Sequence, residues 1–251
     1  MFPIYDDNPT LRTPLMTYLL IGLTLAVWFL VQGAGSPLPL IYSVCDLGMV
    51  PAELTRTVAV GEGIALGGGM ACVVDDSGLN VLTPLTSMFL HGDWMHLIGN
   101  LWFLWVFGNN IEDAMGRMRF LGFYLLCGLA AAALHVAVAP DSMVPTVGAS
   151  GAISGVMGAY LMLHARSPVR TFLPPFFFFW LPAWTYLIYW FALQLLGGLP
   201  ELGTTAGATG GVAFWAHVGG FIAGVVLVRF FGRKELIRAQ AVLRARHHGM
   251  R

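Results

Sequence analysis

Six tracts free of Asp, Glu, Lys and Arg limit what this chain can become: 13–45, 94–111, 120–140, 142–165, 171–200 and 202–228. Each is long enough for a helix of about 17–25 residues, the length that crosses a hydrocarbon core. The predicted spans lie near 15–33, 94–110, 119–138, 150–166, 175–196 and 213–231. Only 10% of residues are charged, against about 25% in soluble domains, so lipid is the expected solvent. The expected fold is an all-α membrane protein. The short, Gly-rich run 63–74 reads as loop. Formal net charge is zero, which makes nucleic acid an unexpected partner; membrane lipids are the expected one.

Orientation follows from where Lys and Arg fall. With the N-terminus inside, the inner segments hold twelve of the thirteen, and only Arg56 lies outside. Both termini are therefore expected in the cytoplasm. The first residues lack a basic stretch with a small-residue cleavage site, so the first span reads as retained. With no targeting extension, a bacterial plasma membrane is the expected location. Three parts follow: a tail over 1–13, a membrane domain over 14–231 with a long outer loop near 34–85, and a basic tail over 232–251. That last tail reads as helical, serving orientation and contact with the cytoplasmic leaflet. Cys127 falls in a span as a packing residue, while Cys45 and Cys72 share the outer loop. Spacing leaves open whether those two are joined.

Polar side chains stranded in lipid are functional candidates. His96 and Asn100 occupy the second span, with His91 just before it as a candidate cavity-lining residue. His135 lies in the third span and has no evident partner. Ser150 opens the fourth within Gly148-Ala149-Ser150-Gly151, and His217 lies about one turn into the sixth. The even-numbered spans run in the same direction, so these groups share one depth below the outer surface. Small-residue stripes supply an independent argument. Ser150, Gly151, Ser154, Gly155 and Gly158 line one face of the fourth span, and His217, Gly220 and Gly224 line one face of the sixth. Such stripes let membrane helices approach closely. If the two face each other, Ser150 meets His217.

That meeting would be chemistry. A serine hydroxyl becomes a nucleophile when an imidazole accepts its proton, and the same imidazole later protonates the leaving amine. No carboxylate lies within a span to orient His217, so the expectation is a Ser–His dyad with packing to hold the ring. Backbone N–H groups at the start of a helix, with His96 and Asn100, would stabilise the oxyanion. Gly148 and Gly151 would admit the substrate backbone. No His-Glu-x-x-His motif or intramembrane carboxylate completes a metal site, and none is expected.

These residues resemble the rhomboid intramembrane serine proteases over most of 14–231. The matching blocks are FLHGDWMHLIGN (89–100), GASG (148–151) and AHVGGFIAG (216–224), in that order on the second, fourth and sixth spans, with IEDAMGRMRFLGFY (111–124) as the inner connection. The resemblance implies a six-transmembrane-helix rhomboid-type bundle with Ser150 as nucleophile, His217 as general base, and His96 and Asn100 on the oxyanion. It also implies cleavage of transmembrane protein substrates near the outer membrane boundary, without a cofactor. There are departures. Some relatives stack a Tyr on the catalytic imidazole four residues after the nucleophile, where this chain has Ser154, and some carry a His where Ser87 stands. The first outer loop has no Trp-Arg pair. In the family the fifth span lies beside the second, where lateral substrate entry is proposed. Here it is FLPPFFFFWLPAWTYLIYWF (172–191), crowded with aromatics and broken by prolines. The loop 197–211 is a candidate cap over the site. The rival reading is a catalytically silent rhomboid-like binding protein or a small transporter. Intact Ser150 and His217 speak against the first, and the lack of buried carboxylates against the second.

Overall fold

The computed structural model describes residues 1–67, 70–202 and 212–249. Strand β1 (Phe2–Asp6) precedes helices α1 (Leu15–Leu30), α2 (Pro37–Leu47) and α3 (Pro51–Thr55), then strands β2 (Gly63–Gly67) and β3 (Met70–Val73). A short α4 (Thr83–Thr86) leads into α5 (Trp94–Met115), α6 (Arg117–Val138) and α7 (Ser150–His164). Strands β4 (Pro168–Leu173) and β5 (Phe177–Pro182) come next, then α8 (Ala183–Gly198), α9 (Phe214–Phe231) and α10 (Lys234–Gly249). Six of these helices, α1 and α5 to α9, stand at the positions of the six predicted spans. Among the described residues, α6 and α9 are each long and apolar enough by themselves to cross a bilayer.

α7 runs through the middle and is buried almost throughout. Its small-residue stripe faces the stripe of α9 so closely that a Cβ on Gly220 or Gly224 would overlap the carbonyl oxygens of Gly151 and Gly155. A Cβ on Gly151 would lie 2.5 Å from that of Ala131 on α6. Large side chains are thereby kept out of the α6–α7–α9 seam. They collect instead around α5, where Phe107 stacks on Tyr186 and meets Tyr160 edge-on.

Polar groups close the end opposite the start of α7. The buried Glu112 carboxylate accepts from the N–H groups of Met16 and Thr17 at 3.0 and 2.7 Å, and from the Thr17 hydroxyl. A negative group at the start of α1 satisfies donors that have no intrahelical partner. Arg119 does the converse for α9, donating to the carbonyls of Phe231 and Phe230 at its C-terminus. Asp113 holds Leu11 and Arg12 of the N-terminal segment. The inner connection is thus a clamp that sets the height of two helices.

Two expectations change here. The first concerns the run 63–74, read as loop, within which β2 and β3 pair antiparallel. In the second, residues 175–182 leave the predicted fifth span and join the hairpin β4–β5, so α8 starts only at Ala183. Pro174, Pro175 and Pro182 interrupt the helical ladder, and an aromatic run between them suits a strand. The 1–13 segment contributes β1, which pairs antiparallel with β4 and completes a three-stranded sheet in the order β1-β4-β5. α10 is helical as expected and rests on the bundle, with Gln240 donating to the Asn110 carbonyl and Arg244 meeting His164. His247 bonds to Asp7, so both termini lie at the same end.

Cys45 and Cys72 form a disulfide that ties α2 to β3, and Cys127 is a buried free thiol. The outer loop is also bridged to the segment before α7 through reciprocal Met49–Thr146 backbone bonds of 3.0 and 2.8 Å.

Candidate active site

A cavity of about 670 Å³ opens at the end of the bundle where α7 begins, lined by His96, Asn100, Gly148, Ser150, Trp190 and His217 among others. Each wall has a local reason for its position. Asp93 adopts an extended conformation and its carboxylate accepts from the His96 N–H at 2.8 Å, which caps α5 and sets His96 in the first turn. Gly148 has φ +126, a conformation that L side chains rarely adopt, and its N–H donates to the Ser87 carbonyl at 2.9 Å. This turn delivers the chain to Ser150 as the first residue of α7. The free N–H groups of that first turn point out of the helix.

Ser150 Oγ lies 2.7 Å from Nε2 of His217. The contact spans 67 residues of sequence and exists because the glycine stripes bring two backbones together. His96 stands on the other side. A Cβ on Gly148 would sit 2.6 Å from His96 Nε2 and 3.5 Å from Ser150 Oγ, so glycine there leaves room for the imidazole beside the hydroxyl. Nδ1 of His96 accepts from the Gly92 N–H. That bond puts the His96 proton on Nε2, the nitrogen directed at Gly148.

The remaining predicted residues fall as follows. Asn100 lines the cavity one turn below His96 and uses one amide hydrogen on the His96 carbonyl, 3.1 Å away. Gly155 and Gly158 pack α7 against α6 and α9, while Gly220 and Gly224 pack α9 against α7. His91 differs from the expectation: it is fully buried and stands behind the lining, its ring 5.0 Å from that of His96 at 69°. Gln32, a residue that sequence reasoning passed over, holds it there by exchanging two hydrogen bonds with the His91 backbone. His135 is buried, as a structural residue would be. Ser154 returns its hydroxyl to the Ser150 carbonyl at 2.6 Å and does not face His217.

What meets His217 instead comes from α8. Gln194 Oε1 is 2.8 Å from Nδ1, and the Trp190 ring lies 5.8 Å from the imidazole at 39°. Neither residue was selected from the sequence. The available signal was that Gln194 is the one amide side chain in the tract 171–200. The candidate cap over 197–211 falls mostly on residues outside those described.

Comparison with known proteins identifies the family. The rhomboid domain family model matches residues 79–234, which covers α5 to α9 and every residue named at the site except Gln32. The chain is 32% identical over 147 residues to Rhomboid-like protease 5 of Toxoplasma gondii, spanning 55% of this chain and 15% of that protein. It is 31% identical over 148 residues to Rhomboid protease GluP of Bacillus subtilis (59% and 24%). Rhomboid-like protein 11, chloroplastic, of Arabidopsis thaliana is 35% identical over 79 residues (32% and 28%). The matched region is therefore less than a third of the length of each of these relatives. With more than half of its residues inside the family match, this chain belongs to the rhomboid family, which includes intramembrane serine proteases.

Proposed function

We propose that this protein is an intramembrane serine endopeptidase that hydrolyses transmembrane protein substrates near the outer membrane boundary. The observation that carries the reading is the 2.7 Å approach of Ser150 Oγ to His217 Nε2 inside an open cavity. In the mechanism His217 accepts the hydroxyl proton as Ser150 attacks the scissile carbonyl carbon. The tetrahedral oxyanion is met by N–H groups at the start of α7 and by Nε2–H of His96, with Asn100 one turn below. His217 then returns its proton to the leaving amine, which departs and leaves an acyl-Ser150 ester. Water repeats the sequence in reverse roles: it gives a proton to His217 and attacks the ester, and Ser150 leaves with that proton. No metal or cofactor takes part in this scheme.

The topological part of the proposal is six membrane spans over 14–231, from α1 and α5 to α9, with both termini in the cytoplasm and the cavity facing outward. A bacterial plasma membrane is the proposed location. Twelve of thirteen Lys and Arg residues on the terminal side support that orientation. The exposed aromatics of α5 and α8, such as Trp102, Trp105 and Trp184, support lipid around the belt.

The test uses purified full-length protein in detergent and a reporter-tagged fluorophosphonate. Wild type is expected to be labelled at Ser150, and Ser150→Ala to lose labelling entirely. His217→Ala should slow labelling at least about a thousandfold, by analogy with loss of a catalytic base elsewhere. Labelling that survives Ser150→Ala, or ignores His217→Ala, refutes the reading. A folded wild-type protein that never labels would favour the silent binding protein instead.

A further inference from the structure

The proposed chemistry uses one nitrogen of His217, and the state of that nitrogen is decided at the other. A neutral imidazole carries a single N–H. For Nε2 to accept a proton from Ser150 the hydrogen must sit on Nδ1, so something must favour that tautomer. In many serine hydrolases a buried carboxylate does this. Among the described residues the titratable side chains acting on His217 are His96 and His135, one from α5 and one from α6, and neither is a carboxylate.

Gln194 stands in the required place. It is 8% exposed, and Oε1 lies 2.8 Å from Nδ1. Its other amide atom is committed as well: Nε2 donates to the Trp190 carbonyl at 3.3 Å, one turn back on α8. The two contacts constrain each other. An amide nitrogen can only donate and an amide oxygen can only accept, so the bond to Trp190 turns the oxygen toward His217. An oxygen there demands a hydrogen on Nδ1. The lone pair is then left on Nε2, facing the Ser150 hydroxyl. Trp190 also lays its ring near the imidazole, so one turn of α8 supplies both orientation and a flat wall.

We infer that Gln194 is the positioning residue of this site: it fixes His217 in the Nδ1–H tautomer and aims Nε2 at Ser150, so the working unit is Ser150–His217–Gln194. The inference rests on the protease reading. An amide suits the setting, because a carboxylate buried at this depth would carry the large desolvation penalty of a charge in hydrocarbon. A neutral acceptor gives the same directional bond without that penalty. It also gives weaker stabilisation of the imidazolium formed during attack.

The experiment compares Gln194→Met, nearly the same shape without the acceptor, with Gln194→Glu, which keeps an oxygen for Nδ1–H. Fluorophosphonate labelling is measured against probe concentration, separating the maximal rate from the half-saturating concentration. Gln194→Met is expected to lose about 10- to 100-fold in maximal rate, at or below the lower end of the roughly 100- to 10,000-fold that acid–base assistance supplies, with half-saturation changed less than about threefold. Gln194→Glu should recover rate over Gln194→Met only as pH rises and its carboxyl ionises to accept from Nδ1–H. The second readout is the nitrogen-15 NMR signature of His217 in the wild-type protein, which needs no variant to fold. The expected state is a protonated Nδ1 and a bare Nε2, with Nε2–H appearing in Gln194→Met. A wild-type Nε2–H tautomer, or Gln194→Met labelling at the wild-type rate, overturns the inference. If His217→Ala abolishes labelling while Gln194→Met does not, only the role of Gln194 falls. If Ser150→Ala still labels, the protease reading falls with it.

Discussion

The α7–α9 seam and the α8 side of the molecule hold the same imidazole by opposite means. Across the seam, backbone lies against backbone: carbonyls of Gly151 and Gly155 fill the space that side chains at 220 and 224 would need. On the α8 side there are no such stripes. That helix reaches its neighbours through rings, Phe191 on Phe221 at 4.5 Å and Tyr186 near Phe103 and Phe107, and through the single amide of Gln194. The difference shows a division of labour. A backbone seam fixes where the nucleophile and base meet and tolerates nothing larger than hydrogen. A ring-packed helix tolerates substitution and can therefore adjust how the base is turned.

The largest effect should come from breaking the seam. Gly220→Val places two methyl groups where the Gly151 carbonyl already sits. Overpacking a closed interior costs about 1–3 kcal/mol and occasionally more, and rigid backbone on the receiving side puts this case at the upper end. The expected outcome is loss of the thermal transition or a fall of more than about 3 kcal/mol, with fluorophosphonate labelling gone. A folded, fully reactive Gly220→Val protein would show that α7 and α9 can separate without consequence, which removes the contrast.

A smaller effect is expected where the sheet joins the bundle. Asp6 ends β1 and is half-buried beside α5 and α7, accepting from the Tyr160 hydroxyl at 2.5 Å and from Asn110 at 2.8 Å. Burial pushes its carboxyl up from 3.8 to about 7, the Tyr160 bond opposes this, and neighbouring Asp7 adds to the rise. Because the folded value is raised, the folded protein binds more protons than the unfolded chain between these two values. The contribution is complete below about pH 4 and is lost as pH rises through about 7. By linkage the difference is at most about 4 kcal/mol. Melting followed from pH 4 to 8 in wild type and Asp6→Asn, whose amide stands in for the protonated acid, should show the variant gaining on wild type from pH 4 to about 7, with a flat difference above that. A pH-independent difference would mean that Asp6 titrates normally.

How much of this was legible in the sequence follows the same division. Glycine stripes at helical spacing have few explanations, so α7 and α9 and their shared face could be read from Gly151, Gly155, Gly220 and Gly224, and the even-span rule put Ser150 and His217 at one depth. The first, second, third, fourth and sixth helices begin within two residues of their expected starts. The fifth did not. Its aromatic run satisfies hydropathy equally as a helix or a strand, and only its pairing with β4 selects the strand. Gln194 was missed for a different reason. A charge stands out in an apolar tract, whereas the hydrogen bond to His217 needs only an acceptor, which a single amide supplies. His91 precedes the second span near the cavity-lining His96, but the chain turns it inward against Gln32.

A third perturbation acts on reactivity at the edge of the seam. Gly148→Ala adds a Cβ about 2.6 Å from His96 Nε2, at a φ of +126 that alanine resists. The ring must move, and with it the donor proposed for the oxyanion. Labelling of Ser150 should fall about 10- to 100-fold, on the scale of losing most of one oxyanion donor. The melting transition should move less than for Gly220→Val, since the turn lies outside the seam. Combining Gly148→Ala with His96→Ala sharpens the assignment. If the ring is what the methyl displaces, the double variant labels no more slowly than His96→Ala alone. Additive losses would instead trace the effect to the backbone turn.

The smallest effect belongs to the outer surface of the sheet. Phe176, in the turn between β4 and β5, is 82% exposed, and Phe177 at the start of β5 is 62% exposed. Both belong to the run that reads as a membrane helix in sequence. As strand and turn residues they bury little against the protein, so Phe176→Ser should change stability in detergent by no more than about 0.5 kcal/mol. Its labelling rate should stay within about twofold of wild type, because the turn belongs to the sheet and Phe176 does not line the cavity. Reconstituted vesicles then separate two origins of the aromatic run. If lipid covers Phe176, the variant loses stability in the bilayer and keeps it in detergent, since an exposed ring at an interface gains by sitting among headgroups. Equal losses in both media would mean that the ring packs on protein, and the hairpin would then belong with the seam as a fixed part of the structure.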